Sequence, residues 1–193
     1  MKKRNLLFLL MAFSFMLMSC NQSSERFFGV YLGEKFNKAL AHFEKNGVKV
    51  EVSHDRKEDL MLINLLDKQT FYNMDFSKVE LRFSHEKLET IRLERYDSKS
   101  QTSKMPFGWE PFPADLSFDN LIKELEKKYG KPLKIQDSPS FVVNEKSARS
   151  VEFTGNGVVI LVRETVSLSE SGHYELGYSR QQITRLYVTI QRD

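Results

Sequence analysis

The side chains of this 193-residue chain that could do chemistry are one thiol, Cys20, four imidazoles and an even spread of carboxylates. A zinc site takes three or four convergent ligands, and His42, His54, His85 and His173 stand at no metal-ligand spacing from one another. No two carboxylates stand out as the acid and base of glycoside hydrolysis. The chain has no G-x-S-x-G, no H-E-x-x-H, no P-loop and no G-x-G-x-x-G behind a strand. Gly130-Lys131 comes nearest to a phosphate loop, but Pro132 stands where Ser or Thr is needed, and the pair reads as the end of a helix. Lys123, Lys127, Lys128 and Lys131 share a helical neighbourhood with Glu124 and Glu126, which marks a solvated, salt-bridged face. The sequence therefore predicts no catalytic residue, metal ligand or cofactor. It offers one candidate contact surface, Phe107-Gly108-Trp109-Glu110-Pro111-Phe112-Pro113. Phe107, Trp109 and Phe112 are held on a proline-stiffened segment, and rigid aromatics are the commonest anchors of binding surfaces. The competing expectation is that these rings plug a junction inside the fold.

Cys20 follows a distinctive leader. Lys2, Lys3 and Arg4 precede an apolar run over 6–18, broken only by Ser14. The run fits the roughly 7–15 residues of a secretory h-region and falls short of the roughly 18 that mark a membrane span. Leu17-Met18-Ser19-Cys20 closes it and resembles the lipobox of bacterial lipoproteins. That resemblance implies cleavage before Cys20 and acylation of its sulfur and new amino group, so residues 1–19 are expected as a signal peptide. More than one acyl chain anchors stably where a single chain does not. Residues 20–26 then form the lipidated cysteine and a short tether. Asn21 is not the aspartate that, in the lipoprotein family, retains proteins at the inner membrane. The expected location is the bacterial cell envelope, at the outer membrane where one exists.

Charge excludes another class. Loss of Lys2, Lys3 and Arg4 with the leader brings the 29 basic residues into balance with the 26 acidic ones. A balanced chain lacks the net positive field of a nucleic-acid binder.

The remaining elements must form a core without disulfides. Alternating apolar residues predict strands at 27–32, 48–52, 79–83 and 88–95, and an apolar run predicts one at 60–66. Phe36, Ala39, Leu40 and Phe43 lie on one helical face within 34–46, and Gly47 ends that helix. Ser117 is a candidate N-cap for a second helix bearing Phe118, Leu121, Ile122, Leu125 and Tyr129. A meander follows, with strands at 151–153, 158–162, 164–168, 174–178 and 184–190, and a turn at Thr154-Gly155-Asn156-Gly157. The polar run 97–104 reads as a boundary. Two α+β halves are thus expected at 27–96 and 114–193, joined by a polar and aromatic linker at 97–113. The fold class is α+β, with two amphipathic helices on antiparallel sheet and a possible tandem duplication. This order resembles duplicated helix-plus-four-strand modules such as the secreted β-lactamase-inhibitor proteins, with no residue or activity carried across. The functional expectation is a non-catalytic envelope module that binds membrane lipid through Cys20 and a protein or glycan partner. An envelope hydrolase and a small-molecule carrier or sensor are the alternatives.

Overall fold

The computed structural model describes residues 25–138, 146–173 and 176–193. The signal peptide, Cys20 and most of the expected tether therefore lie outside the described residues. So does Tyr174, the expected start of a strand.

The fold is α+β and sheet-dominated. Two short strands, β1 (Arg26–Phe27) and β2 (Val30–Tyr31), lead into helix α1 (Phe36–Lys45). Strands β3 (Val50–Asp55) and β4 (Leu60–Leu65) follow, then a small hairpin of β5 (Gln69–Phe71) and β6 (Met74–Phe76). Strands β7 (Lys78–Ser84) and β8 (Lys87–Ser103) precede helix α2 (Ser117–Tyr129). The chain ends with β9 (Lys134–Ser138), β10 (Lys146–Gly155), β11 (Val158–His173) and β12 (Gly177–Arg192).

Eight strands make one antiparallel sheet in the order β3-β4-β7-β8-β12-β11-β10-β9. Each half of the chain supplies four consecutive ribbons of it. The last strand of each half, β8 and β12, pair at the centre, so the order reads as a mirror about that seam. Tight two-residue turns set the register. Tyr72-Asn73, His85-Glu86 and Asn156-Gly157 all have positive φ at both positions, as type I′ hairpins require.

Alternation splits the sheet into two faces. Val79, Leu81 and Phe83 of β7, Ile91 and Leu93 of β8, and Leu186, Val188 and Ile190 of β12 are buried on one of them. Val158, Ile160 and Val162 of β11 and Val151 and Phe153 of β10 continue that layer in register. Ala39 and Phe43 of α1, Phe118, Leu121 and Leu125 of α2, and Phe71 and Phe76 of the small hairpin belong to the same cluster. Phe36 meets Phe83 edge to face, with ring centroids 5.2 Å apart. The core is thus continuous across both halves.

Two close approaches fix the entry to α1. Gly33 has φ +91°, and its amide donates to the Leu88 carbonyl at 2.6 Å. A Cβ there would fall inside the Arg192 guanidinium, which donates to the Leu32 carbonyl at 3.1 Å. Gly33→Ala is therefore expected to lower stability by about 1–2 kcal/mol, from backbone strain and a displaced arginine. A urea midpoint that falls with unchanged m-value would show it.

The polar run 97–104, expected as a linker, is instead strand for most of its length. β8 continues unbroken to Ser103, paired residue for residue with β12 from Asp97↔Thr184 to Ser103↔Tyr178. β11 and β12 are also continuous where shorter strands and turns were expected. Ser, Thr and Gln are weak strand formers taken alone, but strand propensity follows neighbours more than composition. Here β12 lies between β8 and β11 and satisfies both ladders.

Ser117 is the first helical residue rather than the N-cap. Leu116 stands at the N-cap without a side-chain capping bond, and the Ser117 amide donates to Asp115 Oδ1, just before the helix, at 2.9 Å. Partial burial pushes the Asp115 carboxyl up, yet the Ser117 hydroxyl and amide hold it below its ordinary value.

Candidate functional site

The second face of the sheet is where exposed side chains gather. The buried apolar cluster lies entirely on the other face. On the four central and neighbouring strands, outward positions fall opposite one another. Arg185 of β12 faces Tyr96 of β8, and Tyr187 lies between Glu94 of β8 and Arg163 of β11. Thr189 lies between Arg92 and Leu161. Tyr96 is 49% exposed, and the Arg185 guanidinium sits 5.9 Å from its ring centroid. Arg92, Arg163 and Arg185 are exposed, and none forms an ion pair within 4.0 Å among the described residues. By contrast, Arg82, further along the same face, is tied to Glu80 at 2.7 Å and Glu58 at 3.1 Å.

The central patch therefore carries two tyrosines and three guanidiniums that form no ion pair among the described residues; Arg185 is engaged by Tyr187 and Tyr96, Glu94 lies within the patch, and Glu80 stands opposite Arg92. Tyrosine and arginine are the side chains that most often dominate protein interfaces. Long strands hold them in a fixed array, so little side-chain freedom is left to lose on binding. Beyond Arg163, Lys134, Gln136, Ser150 and Glu152 line a depression of about 430 Å³ on this face.

On the core side, Arg149 of β10 is the main polar tie. Its Nε donates to Glu164 of β11 at 2.6 Å and its Nη1 to Asp119 of α2 at 2.8 Å. Its guanidinium also covers the Phe118 ring, 4.1 Å from the centroid. Burial raises the Glu164 carboxyl above its ordinary value even though Arg149 pulls it down. All of the groups on this network are satisfied by one another, which marks a structural tie between α2 and the sheet.

The residues singled out in the sequence separate. Phe107 is 69% exposed, whereas Trp109 and Phe112 are half-buried. Phe112 lies against Arg180 of β12, 5.7 Å from guanidinium to ring centroid, and Lys99 of β8 donates to the Pro113 carbonyl at 2.8 Å. The Trp109 indole Nε1 is buried. Phe112 thus bears on the β8–β12 ribbon, near the seam between the halves, Trp109 is half-buried, and Phe107 projects. The three described histidine side chains do not converge. His54 pairs with Asp59 at 3.0 Å, His85 with Ser84 at 2.9 Å, and His42 lies edge-on to Phe43. Among the described residues no three His, Cys, Asp or Glu side chains are grouped to hold a metal ion. No described helix is long and apolar enough to cross a membrane.

The Lys123 to Lys131 neighbourhood is interleaved with acids as expected. Lys127 pairs with Glu124 at 2.5 Å, and Lys128 pairs with Glu25, whose Oε1 also accepts the Tyr129 hydroxyl at 2.6 Å. Glu25 thereby fastens the start of the described chain to the end of α2.

The open-face array was not singled out in the sequence. Its outward positions were visible as the alternating partners Arg185, Tyr187 and Thr189, but nothing in the sequence put Tyr96 or Arg163 beside them.

Against known proteins, the chain matches no family model, and neither a curated protein nor a solved structure is significantly similar to it.

Proposed function

We propose that this protein is a lipid-anchored, non-catalytic binding or assembly module of the bacterial cell envelope, whose open sheet face takes a protein partner with an acidic surface. The observation that carries this is the array of Tyr96, Tyr187, Arg92, Arg163 and Arg185 across adjacent strands, Tyr187 half-buried and the other four exposed, with no ion pair on the three arginines among the described residues. Exposed guanidiniums outside ion pairs on a rigid surface suit carboxylates of a second protein.

The anchor comes from the lipobox resemblance at Cys20, and the position of Glu25 fits it. Glu25 is held by Lys128 and Tyr129 at the end of α2, on the core side of the sheet. Five residue steps separate Glu25 from Cys20, a reach of at most about 18 Å. An anchored domain would then turn its core side towards the lipid and leave the open face available to a partner. The mirrored strand order also supports reading the two helix-plus-meander halves, each helix packed on its part of the sheet, as a tandem duplication.

The test is an in-cell cross-linking pull-down of the full-length protein beside Cys20→Ala, with the mass of the membrane-extracted protein measured. The reading expects a diacylated or triacylated species and one stoichiometric protein partner, with both membrane retention and partner lost in Cys20→Ala. An unmodified Cys20 would remove the anchor. An acylated protein with no reproducible partner would remove the assembly role.

A further inference from the structure

The eight-stranded sheet ends in two edge strands, and they are not alike. β3 pairs with β4 alone, and its core-side valines are partly sheltered: Val50 is half-buried against the core, and Val52 is 42% exposed. β9 pairs with β10 alone, and its Ile135 is 68% exposed. Ile135 stands opposite Val151, which is 5% exposed, so it belongs to the core face and lies at its rim. Leu133, just before the strand, is 69% exposed, and its amide donates to the Glu152 carbonyl of β10. Among the described residues, no backbone group of β9 bonds to anything except β10. A free edge that carries apolar side chains is a template for another strand.

The residues of β9 fit a second copy of themselves. Two copies meeting antiparallel about a two-fold axis keep each face of the sheet continuous, so residues of one face meet and the axis passes through a residue. Charge and burial choose which residue. An axis at Lys134 sets Lys134 against Lys134, and one at Asp137 sets Asp137 against Asp137; like charges directly opposite are destabilising. An axis at Gln136 sets Ile135 against the Asp137 carboxylate. An axis at Ile135 sets Ile135 against Ile135 and Lys134 against Gln136, with no like charges opposed. Asp137 then falls beside Leu133 at the end of the ladder, where its carboxylate stays in water. This register joins the rim of one core to the rim of the other.

We propose that this protein forms a symmetric dimer by antiparallel pairing of β9 with β9 of a second copy, centred on Ile135. β10 and β11 lie between β9 and Tyr187 of β12, so the open-face array stays free and the two readings fail separately.

The test is oxidative cross-linking of the full-length protein in isolated membranes, with linked peptides identified by mass. Opposed residues of an antiparallel pair have Cα atoms about 4.5–5.5 Å apart, inside the roughly 4.4–6.8 Å that a disulfide spans. Ile135→Cys should give a peptide joined at position 135 of both copies, at least tenfold more abundant than the corresponding product of Val52→Cys on the other edge. Leu133→Cys and Asp137→Cys expressed together should link to each other, and neither alone to itself. Ile135→Lys should raise the dimer dissociation constant of the detergent-extracted protein at least tenfold, as read by sedimentation. Its melt should match the parent's, because the side chain it replaces is already mostly exposed. Absence of the link at position 135, equal linking from Val52→Cys, or sedimentation of Ile135→Lys identical to the parent's would overturn the dimer.

Discussion

Arg149→Ala is expected to lower stability by about 3 kcal/mol at pH 7.5, and by only about 1 kcal/mol near pH 4.5. The larger figure is the cost of leaving a buried carboxylate without its partner. The Glu164 side chain is only 6% exposed, and Arg149 is its sole described ion-pair partner. The figure sits at the low end of the usual range because Arg149 itself is 32% exposed and partly screened. The pH dependence follows from the direction of the Glu164 shift. Burial raises its folded-state value above that of the unfolded chain. The folded protein therefore binds more protons in the window above the ordinary carboxylate value, and stability falls as pH rises through it. Removing Arg149 takes away the one interaction that opposes this shift, so the loss is greatest where Glu164 must be ionised. It shrinks as the carboxyl takes a proton. For a domain of this size, 3 kcal/mol corresponds to a Tm roughly 6–12 °C lower. Glu164→Gln keeps an acceptor for Arg149 and should cost about 1 kcal/mol or less, with a flatter pH profile. Melts of both variants at the two pH values decide the matter. An Arg149→Ala loss equal at pH 4.5 and pH 7.5 would show that the tie is packing on Phe118 rather than charge.

The other large effect concerns binding. Tyr187→Ala should weaken the partner complex by about 2 kcal/mol, roughly thirtyfold, because a central interface tyrosine carries a disproportionate share of the energy. Tyr187 sits between Glu94 and Arg163 and next to the Arg185–Tyr96 pair, so it is at the middle of the array. Arg185→Glu should cost at least as much, since it adds repulsion towards an acidic partner as well as removing attraction. The association rate of that variant should also lose its salt dependence. Tyr187→Ala removes one cross-strand ring and should cost about 1 kcal/mol or less of folding stability. Lys38→Glu, on α1, serves as the remote control and should bind within twofold of the parent. The affinity of the partner recovered by cross-linking, measured for each variant alongside its melt, separates lost contact from lost fold.

Much of the architecture was legible because its signals are local. The helical stripe of Phe36, Ala39, Leu40 and Phe43 and that of Phe118, Leu121 and Leu125 mark helices by spacing alone. Asn156-Gly157 announces a hairpin by its chemistry. The small hairpin around Tyr72-Asn73 was missed because a tyrosine at positive φ is not an ordinary turn residue, and its strands are three residues each. The long ribbon of β8, β11 and β12 was missed for a different reason. Ser98, Ser100, Thr102, Ser167 and Ser169 carry no apolar alternation, and their strand state is imposed by partners far away in sequence. The same non-locality hides the candidate site. Tyr96 and Arg185 face each other only through the central β8–β12 pairing. Trp109 and Phe112 stood out by composition, and the fold half-buries both, with Phe112 against Arg180.

The most direct test of the open sheet face is site-specific photo-crosslinking in living cells. A photoreactive amino acid would replace Tyr96 in the full-length protein, and Lys38 in a parallel strain. The account predicts one discrete protein adduct from position 96, none from position 38, and loss of the adduct when Arg185→Glu is added. Adducts from position 38 alone, or an adduct from position 96 that survives Arg185→Glu, would contradict it.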